Sequence, residues 1–130
     1  MNIPKFSTNS LVTYQDGIYQ ISNISSKGPG YHYKLILVAY QRDMKSDEFH
    51  KFTITPKEID LEESLLSEFK GKVPRFKFGE GVRVRGEINC IIKFIKYINY
   101  NYYYSVREKV HWSDELQSGW EVEEGYLQKW

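Results

Sequence analysis

The 130-residue sequence predicts a mainly β fold in which two similar β-rich halves are joined by one α-helix. Three observations carry that expectation. Apolar residues alternate over short runs bounded by glycine-rich or polar turns, one central stretch changes to helical spacing, and the pattern of the opening residues returns after it.

The run "LVTYQDGIYQISNI", residues 11–24, alternates at Val12 and Tyr14, breaks at Asp16-Gly17 and resumes at Ile18, Ile21 and Ile24, which reads as a β-hairpin. "SSKGPG" supplies a loop. "YHYKLILVAY", residues 31–40, is apolar on both alternating faces in its second half, as expected of a strand covered on both sides. Polar "QRDMKSDE" connects it to "FHKFTI", residues 49–54, a further short strand.

The period then changes. Thr55 followed by Pro56 and Glu58 forms a capping box with proline at the first helical position, and Gly71 supplies a stop. Leu61, Leu65 and Phe69 recur every fourth residue with Leu66 beside them, opposite Glu62, Glu63 and Glu68. This spacing predicts a helix over residues 57–70 between a first unit at 1–56 and a second at 71–130.

Sliding the chain along itself by seventy residues sets Phe6 on Phe76, Val12 on Val82, Tyr14 on Val84, Ile18 on Ile88, Ile21 on Ile91 and Ile24 on Phe94. One residue more of offset sets Tyr31, Tyr33 and Leu35 on Tyr102, Tyr104 and Val106, and "FTITPKEI" is spaced like "WEVEEGYL". The shared order reads as an internal duplication. Two units of that size are marginal alone, so the halves are expected to pack together.

In these residues each half resembles a small SH3-like barrel of the broad group that includes Tudor and KOW modules: "KFSTNSLVTYQDGIYQISNI … YHYKL … FTITPKEI" and "RFKFGEGVRVRGEINCIIKF … YYYSV … WEVEEGYL". The resemblance implies two bent five-stranded sheets in tandem and a binding role. Length, aromatic richness and the lack of a catalytic motif also resemble accessory proteins of phages and mobile elements, including inhibitors of bacterial defence nucleases.

Charge is unevenly placed within a formal net +1. Residues 70–96 carry Lys70, Lys72, Arg75, Lys77, Arg83, Arg85, Lys93 and Lys96 against Glu80 and Glu87, whereas the C-terminal part is rich in Asp and Glu. The single cysteine, Cys90, excludes an intramolecular disulfide and a cysteine-based zinc site, and fits a reducing setting. No run approaches a membrane span and the N-terminus lacks the apolar core of a signal peptide, so the expectation is a cytoplasmic protein with no membrane partner. His32, His50 and His111 lack metal spacing, and no phosphate loop or nucleophile elbow is present, so the expectation is a non-enzyme without cofactor or metal.

Residues 97–106, "YINYNYYYSV", hold five tyrosines. On a strand, Tyr100, Tyr102, Tyr104 and Val106 share the core face, which leaves Tyr97 and Tyr103 exposed near the basic run. In "VRVRGE", Val82 and Val84 face inward, Arg83 and Arg85 share the outer face, and Lys93 and Lys96 join them from the next strand. Arginine beside aromatic rings suits single-stranded nucleic acid or an acidic protein surface. Trp112 and Trp130, flanked by charge, complete the candidate binding set as interface anchors. The leading expectation is docking on a protein or ribonucleoprotein, and the second is direct DNA or RNA binding.

Overall fold

The computed structural model describes residues 3–28, 30–41, 58–108 and 120–130. They form β1 (Leu11–Tyr14), β2 (Gly17–Lys27), β3 (Gly30–Tyr40), β4 (Glu58–Glu62), a first 3₁₀ turn (Glu63–Leu65) and β5 (Ser67–Glu68). Then come β6 (Gly81–Val84), β7 (Ile88–Ile98), β8 (Asn101–Glu108), β9 (Trp120–Glu123), a second 3₁₀ turn (Glu124–Tyr126) and β10 (Leu127–Lys129). The protein is mainly β.

Neighbouring strands of the first set pair antiparallel in the order β5-β1-β2-β3-β4, and those of the second in the order β10-β6-β7-β8-β9. A parallel bridge between Tyr40 and Lys96 joins β3 to β7, so one ten-stranded hydrogen-bonded sheet runs through both sets.

The helix expected over residues 57–70 does not form; β4, the first 3₁₀ turn and β5 occupy residues 58–68. Half-buried Ile59 and Leu61 alternate with exposed Glu58, Asp60 and Glu62, a period of two that the four-residue leucine spacing obscures. β4 pairs with β3 from Ile36↔Glu58 to His32↔Glu62, and β5 pairs with β1, which satisfies backbone groups along both neighbours. Tertiary pairing therefore overrides the local helical signal. Leu66 is buried in the first core, whereas Leu65, expected on the same apolar stripe, is exposed. The connection at 42–48 and the strand expected at 49–54 lie outside the described residues.

The two sets repeat each other, with a shifted alignment. Val12 pairs with Tyr19 across the first hairpin and Val82 with Cys90 across the second, because Arg85-Gly86-Glu87 turns the second chain where Gln15-Asp16 turns the first. Ile18 therefore corresponds to Asn89, and Ile88 is exposed at the position of Gly17. From there Ile21 matches Ile92, Tyr33 matches Tyr104 and Leu35 matches Val106, and a register shift falls after Ile21 in β2 and after Ile92 in β7. The counterpart of "WEVEEGYL" is "IDLEESLL", residues 59–66: Leu61 pairs with Tyr33 as Val122 pairs with Tyr104.

One core gathers Phe6, Val12, Ile21, Tyr33, Leu35 and Leu66. The other, around Phe76, Val82, Ile92, Tyr102, Tyr104 and Val106, also takes in Leu11, Ile18 and Ala39 from the first set, so the halves share buried surface. Tyr40 stacks on Phe94 at 4.8 Å with Phe78 edge-on to both rings. Tyr102, Tyr104 and Val106 are buried as expected, but Tyr100 is 85% exposed. It lies in the β7–β8 turn with Asn99, both at positive φ, and so leaves the alternation of the strand.

Candidate interaction surface

Each repeat is closed by the same polar device. In the first, Glu63 Oε2 accepts the Lys5 backbone N–H at 3.0 Å and the Tyr33 hydroxyl at 2.5 Å. In the second, Glu124 Oε2 accepts the Arg75 N–H at 3.3 Å and the Tyr104 hydroxyl at 2.6 Å. Phe6 meets Tyr33 edge-on at 5.7 Å, and Phe76 meets Tyr104 at 5.6 Å. These carboxylates are occupied with closing the sheet.

The residues singled out by sequence do not form one basic face. Arg83 is exposed on β6, and its Nε donates to Asn89 Oδ1 at 3.0 Å. Arg85 is not beside it on the strand: it begins the β6–β7 turn at φ 53°, its backbone N–H donates to the Tyr126 carbonyl, and its guanidinium lies 5.3 Å from the Tyr126 ring centre. Lys93 is half-buried at the register shift in β7, where burial first, and Arg107 second, lower the pKa of its ammonium.

Lys96 is 6% exposed and its Nζ lies 2.7 Å from Glu121 Oε2 of β9, so this cation is paired within the second repeat and withdrawn from solvent. Tyr103 is half-buried, with the Lys96 ammonium 6.0 Å from its ring centre. Tyr97 is not exposed either; it packs on Phe69 at 5.1 Å and on Tyr102 at 4.8 Å. Trp130 is 51% exposed and lies over Gly81, where an added Cβ would come 2.3 Å from its Cε3. Trp112 lies outside the described residues.

What the fold brings together instead is a cleft of about 490 Å³ on the second repeat, lined by Val84, Arg85, Ile88, Glu121, Val122, Glu123 and Tyr126. The β6–β7 turn supplies Arg85, the start of β7 supplies Ile88, β9 supplies the two glutamates on either side of inward-facing Val122, and the second 3₁₀ turn projects Tyr126. The result is an apolar floor with a stacked arginine on one wall and carboxylates on the other. Of the sequence candidates among the described residues, only Arg85 lies here. Aligning "IDLEESLL" with "WEVEEGYL" exposes the missed signal, since exposed Leu65 and Tyr126 then occupy the same place in the two 3₁₀ turns.

Among the described residues no group of three or more His, Cys, Asp or Glu is placed to hold a metal ion. Cys90 is buried and its thiol is pushed up to about 11, by burial first and by Glu108 second, which keeps it protonated at neutral pH. Among the described residues no helix is long and apolar enough to cross a membrane. Comparison with protein-family models, with curated proteins and with solved structures returned no match.

Proposed function

We propose that the protein is a non-catalytic docking protein of the cytoplasm, built from two SH3-like small barrels in tandem, that engages a protein or the protein part of a ribonucleoprotein. The repeated order of four antiparallel strands, a 3₁₀ turn and a closing strand supports the SH3-like reading, with the first unit extended through Phe69. The observation that carries the docking role is the cleft beside Tyr126, whose apolar floor and opposed charges suit a polypeptide segment. A phosphate entering there would meet Glu123, and the Lys96 cation is already paired with Glu121, so this surface favours a protein ligand over nucleic acid. Resemblance to accessory proteins of phages and mobile elements adds a specific form of the role, blockade of a bacterial defence nuclease.

The test is co-purification from cells that carry the protein, followed by nuclease treatment. The expected complex survives the nuclease and is lost with Arg85→Glu or Tyr126→Ala, and is weakened by Trp130→Ala. A complex released by nuclease and indifferent to these substitutions would refute the reading.

A further inference from the structure

The segment between the repeats carries chemistry that the cleft does not use. Residues 69–79, "FKGKVPRFKFG", contain Lys70, Lys72, Arg75 and Lys77 and no acidic residue, and all four cationic side chains are exposed. This stretch runs without helix or strand, yet it is fastened to the second repeat. The Tyr102 hydroxyl donates to the Lys72 carbonyl at 2.5 Å, Phe69 packs on Tyr97, and Gly71 lies so close to Tyr97 that a Cβ would come 2.9 Å from the phenol oxygen. The cations are thereby anchored alongside the β7–β8 hairpin.

Tyr97 and Tyr102 form a rung of that hairpin, Ile98 and Asn101 form the next, and Asn99 and Tyr100 make the turn. Both turn residues have positive φ, 51° and 67°. Such a turn favours asparagine followed by glycine, so Asn99 fits and a tyrosine in the second place is strained. Its 85% exposure means that burial within the described chain does not offset the strain. A ring held bare at a strained tip, on the hairpin whose Tyr102 holds the Lys72 carbonyl, is arranged to meet something from outside.

We propose that Lys70, Lys72 and Tyr100 form a second binding site, for single-stranded nucleic acid, in which the lysines meet phosphates and the tyrosine stacks on a base. Cations strung along an irregular segment can follow a sugar-phosphate backbone, and a ring with open faces accepts any unpaired base. A duplex hides its base faces from such a ring. An acidic protein surface would pair with the lysines too, and competition with polyglutamate distinguishes it from nucleic acid. The site goes beyond the docking reading and uses none of the cleft residues.

The experiment is fluorescence anisotropy of the full chain with labelled oligothymidylate and oligouridylate of about 12 nucleotides at low salt, a length within the usual single-strand site sizes. Expected is binding that weakens as salt rises, with the slope reduced by about 0.7 for each of Lys70→Ala and Lys72→Ala. Tyr100→Gly should weaken it about fivefold or more, and because glycine suits this turn the variant keeps its fold. Lys34→Ala, which removes an exposed charge from β3, should leave the affinity within about twofold. No binding at low salt, wild-type affinity in Tyr100→Gly, or equal affinity for a duplex of the same length would overturn the proposal. Displacement by polyglutamate as effective as by unlabelled oligonucleotide would also overturn it and assign the surface to an acidic protein.

Discussion

Tyr104 donates its hydroxyl to Glu124 Oε2 at 2.6 Å, and this link ties β8 to the 3₁₀ turn that leads into the closing strand β10. Its counterpart, Tyr33 to Glu63, does the same for β3 and β5 in the first repeat. Both phenol rings are fully buried, so each hydroxyl proton depends on its carboxylate, and the Tyr33 oxygen also accepts the Phe6 N–H.

Tyr104→Phe should therefore destabilise the protein by about 1.5–3 kcal/mol, the usual range for a hydrogen bond to a charged group. Tyr33→Phe should act in the same direction. Urea denaturation of each variant against the parent measures this, and an unchanged midpoint in both would contradict the closing role.

Stability should fall at both ends of the pH scale. The Lys5 N–H chiefly, and the Tyr33 hydroxyl second, hold Glu63 below its ordinary 4.5. A lowered folded pKa contributes stability that is present above the unfolded value and lost as pH falls through the folded one, so the acid loss begins below about pH 5. Burial first raises Tyr102 and Tyr104 above the ordinary 10.0. That contribution is present below the unfolded value and lost as pH rises toward the folded one. Thermal melts of Glu63→Gln should show a shallower acid limb and those of Tyr104→Phe a shallower alkaline limb.

The second repeat should depend on the Lys96–Glu121 pair, which links β7 to β9. The ammonium side is buried and the carboxylate side is 40% exposed. Glu121→Ala removes the carboxylate partner of a buried cation and should cost about 1–2 kcal/mol, discounted from the fully buried case for the exposure of the glutamate. Lys96→Met removes the charge and keeps the packing, so it should cost less. Equilibrium unfolding of the two variants gives the order, and a larger loss for Lys96→Met would contradict the assignment.

Much of the β-sheet is legible in the residues, because buried Val82 and Val84 alternate with exposed Arg83 and Arg85, and buried Tyr102 and Tyr104 alternate with exposed Asn101 and half-buried Tyr103. Residues 58–68 are not. Leu61, Leu65 and Phe69 fit a helix by spacing alone, and only the pairing of Ile36 with Glu58 and of Val12 with Glu68, far apart in sequence, shows otherwise. The basic face fails for a related reason. The register shift at Lys93 changes which β7 residues face inward, and Lys96 is buried in a pair with Glu121 of β9, neither of which leaves a local mark.

Trp130 should report on the β6–β10 edge. A methyl group at Gly81 would collide with its ring, which is 51% exposed. Gly81→Ala should shift tryptophan emission to the red at a stability loss below about 1 kcal/mol. An unchanged spectrum would show that the ring does not rest there.

The repeat itself is tested most directly by nuclear Overhauser contacts across residues 58–68. Cross-strand contacts linking Val12 to Glu68, Tyr33 to Leu61, Val84 to Leu127 and Tyr104 to Val122 are the predicted result. Helical contacts between residues three apart through 58–66, with no cross-strand contact to Glu68, would contradict it and leave the second repeat without a partner copy.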